Sequence, residues 1–347
     1  MNLLNLIKEN RYNKYMFKLI SLFSGCGGLD LGFELEGFEI VFANDCDKIC
    51  KATYEYNFPG AILDGRKIEN IKSEDFPNNI DGIIGGSPCQ SWSVAGSNKG
   101  EDDPRGRVFF EYLRVINDMS PKFFVIENVE GILRATHRPT LTKILSRLTK
   151  LGNHGYNVRY ELLNANLHGV PQDRKRVFFI GIRKDLQDNI DKFKFPTISD
   201  DENDRPTLKD AIYDLCDSAK SHKTMKDGDE VDYYYLEMDW SSQFMSRNRV
   251  RTWDQAAFTV PATGRQVTIH PQAPVMKKVR KDVFEFDREN KHLYRRFTVR
   301  ECARLQTFPD SFKFKVDNVN HGYKLIGNAV PVNLARKIAK SVFNAFI

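Results

Sequence analysis

An α/β fold with a doubly wound, mostly parallel sheet and a second, smaller domain is predicted by three features of the 347-residue sequence. Short apolar runs alternate with amphipathic stretches from Phe17 to about Arg183. The runs are rich in Ile, Val and Phe at successive positions, as when helices cover both faces of a sheet. After Lys184 the texture changes: 13 acids face 5 bases between Asp200 and Asp239, then 14 bases face 6 acids between Gln243 and Arg304.

Strands are predicted over 18–23, 39–43, 82–85, 123–127, 158–164 and 177–182, and helices over 29–35, 48–56, 108–118 and 141–151. Leu334, Ile338, Val342 and Phe346 recur every four residues, which predicts a last helix packed outside the first sheet. The expected plan is an extension over 1–17, a catalytic domain over 18–190, a small domain and hinge over 191–309, and a returning segment over 310–347.

Composition narrows the class. The chain is 41% hydrophobic and 28% charged, which excludes collagen-like and wholly disordered readings. A net charge of +6 permits an anionic partner without demanding one. The six cysteines form no CxxC pair, so no zinc module or other metal site is expected, and reduced thiols fit an intracellular protein. No apolar stretch approaches the roughly 18–20 residues that span a bilayer, and Lys8, Glu9 and Arg11 interrupt the apolar start, which excludes a signal peptide.

Phe23-Ser24-Gly25-Cys26-Gly27-Gly28 follows the first predicted strand, where glycines allow a tight turn and close backbone approach to a ligand. Asp45 ends the next strand, where a carboxylate commonly accepts hydrogen bonds from a ribose diol. A ligand-free turn and a dinucleotide-binding oxidoreductase are the competing readings. Against the second, Gly32 falls too late for the G-x-G-x-x-G spacing.

Gly85-Gly86-Ser87-Pro88-Cys89-Gln90 leaves another buried strand. Cys89 by itself reads more readily as a small buried hydrophobe than as a nucleophile. The run Phe123-Phe124-Val125-Ile126 ends in Glu127-Asn128-Val129, and a carboxylate there is costly unless it has a partner or a task. Gln172-Asp173-Arg174-Lys175-Arg176 precedes the strand at 177, as a basic turn or as part of the same site.

In this order the blocks FSGCGG, Asp45, GGSPCQSWS, ENV, QDRKR, RFTVRECARLQTFP (from Arg296) and GYKLIGNAVPV (from Gly322) resemble the DNA cytosine-5 methyltransferases of bacterial type II restriction–modification systems, close to the GGCC-modifying enzymes. The resemblance spans nearly all of Phe17 to Phe346. It implies a Rossmann-like fold binding S-adenosylmethionine, with S-adenosylhomocysteine as product, and a target-recognition domain. It implies that Cys89 adds to carbon 6 of a flipped cytosine and that Glu127, protonated or sharing a proton, bonds the ring nitrogen and amine. Arg176 then holds the carbonyl oxygen and Arg174 braces the pocket.

For the cofactor it implies contacts from Phe23, Gly25, Gly28, Asp45, Pro88 and Asn328, with 91–107 as a loop folding over DNA. Arg247, Arg249 and Arg265 are the expected readers of guanine, and GGCC or a related GG…CC sequence the expected site. Arginines two apart on an extended segment share a face, and Arg is the usual bidentate partner of guanine. The implied partners are double-stranded DNA and, functionally, a restriction endonuclease. The implied state is a monomer in a prokaryotic cytoplasm, at the nucleoid through DNA.

The chain departs from the family at three places. Asp45 stands where Glu is usual, Ser87 where Pro is common, and Asp64-Gly65-Arg66-Lys67-Ile68 where a Gly-Asp-Ile usually reads the adenine amine. A tRNA cytosine-5 methyltransferase and a catalytically dead DNA-binding relative are the alternatives. The developed basic small domain opposes the first, and Cys89, Glu127 and Arg176 together oppose the second.

Overall fold

Seven strands in the order β3-β2-β1-β4-β5-β7-β6 form the sheet on which the rest of the first unit is built. The computed structural model describes residues 17–86, 104–198 and 205–347. The N-terminal extension and the motif residues Ser87, Pro88, Cys89 and Gln90 lie outside the described residues, as does most of the loop expected over 91–107. The strands are β1 (Phe17–Leu22), β2 (Phe38–Asn44), β3 (Ile62–Asp64), β4 (Gly82–Gly85), β5 (Phe123–Val129), β6 (Tyr156–Asn164) and β7 (Lys175–Arg183). The pairs β2–β3, β1–β2, β1–β4 and β4–β5 are parallel, and β7 runs antiparallel between β5 and β6.

All six predicted strands are present, with ends shifted by up to two residues. The missed strand, β3, has three residues at the sheet edge and an exposed Ile62, so it carries no apolar run to notice. Helices α1 (Gly28–Glu34), α2 (Lys48–Asn57), α3 (Pro104–Met119) and α4 (Arg138–Leu148) follow β1, β2, β4 and β5. A short helix, α5 (Gln187–Lys192), follows β7.

Burial explains the apolar strands. On one face Ile20, Leu22, Ile83, Phe124 and Ile126 meet Tyr112 and Ile116 of α3 and Leu141 and Ile144 of α4. The other face takes the last helix, labelled α9 (Val332–Phe346), whose Phe343 and Phe346 make edge contacts with Phe17. Each such side chain removed from water stabilises the fold by roughly 1.5–3 kcal/mol. Gly32 belongs to this packing: a Cβ there would lie 2.4 Å from the Ala335 Cβ, so its absence lets α1 touch α9.

The strand order reverses between β1 and β4, so their carboxyl ends open the crevice where such sheets bind ligands.

The second compact unit comprises Ala165–Arg174 and the described residues of 198–334, and the first resumes at Ala335. Residues 310–334, expected with the returning segment, therefore belong to the second unit, because α8 (Val319–Asn328) packs on α7 (Val299–Leu305). Besides α6 (Leu208–Ile212) and the short pairs β8–β9 (Lys220–Ser221, Tyr234–Tyr235) and β10–β11 (Lys277–Arg280, Val283–Glu285), the unit is mostly irregular.

Arginine side chains bind that irregular chain together. Arg296 lies 3.8 Å over the Trp240 ring and donates to the carbonyls of Leu236 and Met238. Arg300 pairs with buried Asp232 at 2.6 Å and donates to Phe312 O. Part of the basic excess after Gln243 is thus internal scaffolding.

Glu301 is fully buried and accepts two 2.8 Å bonds from Arg295, with His270 Nε2 3.3 Å away. Burial by itself would raise its pKa, but these partners outweigh it and hold the carboxyl at about 2 against an ordinary 4.5. A carboxyl lowered on folding stabilises the protein above its unfolded pKa and loses that contribution as pH falls through the folded one. The stability advantage of wild type over Glu301→Gln is therefore expected to shrink by roughly 3 kcal/mol between pH 4.5 and pH 2. Urea unfolding across that range checks it; a constant difference would show the charge to be unimportant.

Candidate active site

The first unit's site begins where β1 turns into α1. Phe23 and Gly25 have positive φ values of 56° and 55°, and a Cβ on Gly25 would meet nothing within 4 Å. The Gly25 N–H donates to Asp45 Oδ2 at 2.9 Å and the Asp47 N–H to Asp45 Oδ1 at 2.8 Å. Leu22 and Asn44 are register partners, so parallel pairing itself brings the glycine turn beside the carboxylate.

Phe23 stacks on Tyr112 at 5.9 Å, and Gly28 opens α1. Asp30, a residue the motif reading passed over, anchors this turn from below. It accepts from Ser21 at 2.7 Å and Tyr54 at 2.6 Å, and burial lifts its pKa to about 6. An aromatic ring, backbone amides and a half-buried carboxylate beside open space suit a nucleoside with a cationic tail, which fits S-adenosylmethionine.

Next to Asp45, the segment at 64–68 that departs from the family is held by its own ion pairs. Arg66 grips the Asp64 carboxylate through Nε and Nη2, at 3.0 and 2.6 Å, and reaches Asp75 at 3.1 Å. That pairing holds the Asp64 carboxyl below the usual range.

Glu127 and Arg176 form the second part of the site. β5 and β7 pair antiparallel with Glu127 opposite Phe178 and Val129 opposite Arg176, which sets the two side chains diagonally. Arg176 Nε meets Glu127 Oε1 at 2.8 Å, with the side chains only 15% and 12% exposed. Gly86 lies against them: a Cβ there would sit 2.8 Å from Glu127 Oε2, so a larger residue would push the carboxylate out of this position. A paired carboxylate and guanidinium at a strand end offer an acceptor and a donor side by side, as a planar polar ring edge requires. Cys26, Cys46, Cys216 and Cys302 all have thiols pushed up, chiefly by burial, so none is a ready thiolate.

The remaining predicted residues belong to the second unit. Arg174 is buried and donates to the main-chain carbonyls of Val260, Gly327 and Ala329 at 3.3, 2.9 and 2.9 Å. It clamps backbone segments and so is a positioning residue. Asn328 ends α8 with an exposed side chain. Arg247 and Arg265 are exposed.

Arg249 is 5% exposed and turned inward, donating to Phe244 O at 2.9 Å and Gln243 O at 3.2 Å with its guanidinium over the Phe244 ring. The expectation that Arg249 stands exposed beside Arg247 fails because the Gln243 and Phe244 carbonyls and the Phe244 ring hold its guanidinium inward.

The profile of the C-5 cytosine-specific DNA methylases matches residues 17–344. The chain belongs to this family. The methylase is 51% identical over 331 residues to the type II methyltransferase M.FnuDI of Fusobacterium nucleatum, covering 94% of each chain. It is 51% identical over 330 residues to M.NgoPII of Neisseria gonorrhoeae, covering 94% of this chain and 95% of that one. M.MthTI of Methanothermobacter thermautotrophicus is 48% identical over 328 residues, 93% of this chain and 96% of its own. The Entamoeba histolytica methyltransferase EhMeth shares the fold at a TM-score of 0.70 and 18% identity, over 95% of this chain and 99% of that one. The methylase is thus a DNA cytosine-5 methyltransferase of the type II restriction–modification class. Among its described residues no helix is long and apolar enough to cross a membrane.

Two glutamines of the methylase escaped the motif reading. Gln172 is fully buried, donating to Leu305 O and Gln306 Oε1 and accepting from the Val260 N–H. Gln306, also buried, donates to Ile326 O and Ala329 O. Together with Arg174 they tie the segments at 172–174, 260, 305–306 and 326–329 into one hydrogen-bonded knot. Their places inside the QDRKR and RECARLQTFP blocks were the available signal.

Proposed function

We propose that this enzyme methylates cytosine in a GGCC or related GG…CC duplex site by transient covalent attack of Cys89, protecting DNA from a partner nuclease. The observation that carries the reading is the Glu127–Arg176 pair beneath Gly86, three residues before Cys89 in the family's PCQ motif. When bound, S-adenosylmethionine supplies an electrophilic methyl group. Phe23, Gly25, Gly28 and Asp45, with Pro88 and Asn328, are the residues that would hold it.

The target base leaves the stack, at a few kcal/mol of unpairing and unstacking. The Cys89 thiolate bonds to carbon 6 of the ring, and electron density moves to carbon 5, which becomes nucleophilic like an enamine. Glu127 hydrogen-bonds the ring nitrogen and the exocyclic amine, while Arg176 holds the carbonyl oxygen, so the charge developing on the ring is met by fixed partners. Once carbon 5 carries its new substituent, loss of its proton to a base drives out the Cys89 thiolate and restores the aromatic ring. Arg174 acts by positioning, through the backbone it clamps.

The catalytic domain corresponds to the first unit and target recognition to the second, with the whole acting as a cytoplasmic monomer on DNA. Guanine reading rests with the exposed Arg247 and Arg265. Arg247→Ala should cost about 1–3 kcal/mol of discrimination between GGCC and single-mismatch duplexes. Competition binding checks this, and equal weakening on every duplex would make Arg247 a phosphate contact. Transfer of labelled methyl groups to GGCC duplex, scrambled duplex and tRNA tests the whole reading; labelling of tRNA alone would overturn it.

A further inference from the structure

We propose that the hairpin β10–β11 of the second unit is a sequence-independent clamp on duplex phosphates flanking the target site. Its position at the DNA rests on the reading of Arg247 as a base contact. Its chemistry does not.

The first strand and turn carry Lys277-Lys278-Val279-Arg280-Lys281, four cations in five residues, against Asp282 and Glu285 on the same hairpin. Lys277 pairs with Asp287, while Lys278, Arg280 and Lys281 are exposed, with the Val279 side chain projecting beside them at 55% exposure. A two-stranded ribbon of this length is marginal alone, and only Lys277 has an acid, Glu285, opposite it, while Lys278 and Arg280 face Phe284 and Val283. Such a row of cations is favourable where a polyanion lies against it.

The hairpin is also fastened to the element that presents Arg247. At its root the Met276 N–H donates to Asn248 Oδ1 at 3.2 Å, and the Arg249 N–H lies 3.3 Å from the Met276 sulfur. Phe284 of β11 packs on the small core that contains Phe244 and Met276, as Met245 does. The Arg247 turn and the hairpin therefore share one foundation. From that root the four residues of β10 extend about 13 Å, the length of about four base pairs at 3.4 Å each. The reach suits phosphates just outside a short recognition sequence.

The test is a full-length K278Q/R280Q/K281Q variant beside a charge-keeping K278R/R280K/K281R variant. Each binds a duplex trimmed to the target's edges and one extended by about one helical turn on each side. If each cation meets one phosphate, wild type on the long duplex should lose about 40-fold more affinity than the glutamine variant between 50 and 200 mM salt. Wild type should prefer the long duplex, the glutamine variant should lose that preference, and the charge-keeping variant should retain it. The glutamine variant should weaken target and scrambled duplexes alike, whereas Arg247→Ala changes the preference between them. An unchanged salt slope and an unchanged length preference in the glutamine variant would overturn the clamp. A uniform loss in Arg247→Ala would overturn base reading at Arg247 and leave the clamp's salt and length results standing.

Discussion

Cys89→Ala should lower methyl transfer by about 10⁴-fold or more, since losing the nucleophile in a covalent mechanism removes nearly all of the chemical step. Cys26, Cys46 and Cys302 are poor substitutes, because burial pushes up the thiols of Cys26 and Cys302 and neighbouring carboxylates add to burial at Cys46. Duplex binding should survive, because most contacts to DNA are made elsewhere. A duplex whose target cytosine carries fluorine at carbon 5 sharpens the test. Fluorine cannot leave as a proton does, so the sulfur–carbon 6 bond formed by wild type should persist through denaturing electrophoresis. The Cys89→Ala protein should give no such band. Activity within about tenfold of wild type, or a cross-link that survives the substitution, would end the covalent reading.

Glu127→Gln is expected to cost about 10²–10⁴-fold in kcat. The amide keeps the size of the side chain but cannot exchange a proton with the ring, and it loses the ionic half of the 2.8 Å contact with Arg176. Because both side chains are mostly buried, leaving Arg176 without a carboxylate also costs stability, by about 3–5 kcal/mol if the pair behaves as a buried one. The two effects are separable by measuring single-turnover rates well below the unfolding midpoint. A kcat within threefold of wild type would show Glu127 to be a structural partner of Arg176 and no more.

The centre of the sheet was readable because strands such as β4 and β5 are built from apolar runs, and the rim was readable because those runs end in polar residues. Phe123–Ile126 finishing in Glu127 is both a strand signal and a site signal, and the structure puts Arg176 against that carboxylate. β3 was unreadable for the opposite reason: three residues at an edge, one of them exposed, leave no periodic trace.

In the second unit the limit is chemical ambiguity. Arg247, Arg249 and Arg296 are one residue type in one basic region, yet the first is exposed, the second holds the 243–244 carbonyls and the third lies on Trp240. Which role an arginine takes depends on whether a carbonyl or a ring waits nearby in space. No linear spacing encodes that.

The clamps of the second unit have a bearing on how freely its surface can be altered. Arg174, Arg296 and Gln306 grip peptide oxygens, and every amino acid presents the same oxygen whatever its side chain. Exchanging the residues that face outward from a segment so gripped leaves the grip intact. A scaffold of this kind separates the fold's stability from the identity of its outward side chains, so variants altered at Arg247 or Arg265 should fold as readily as the parent.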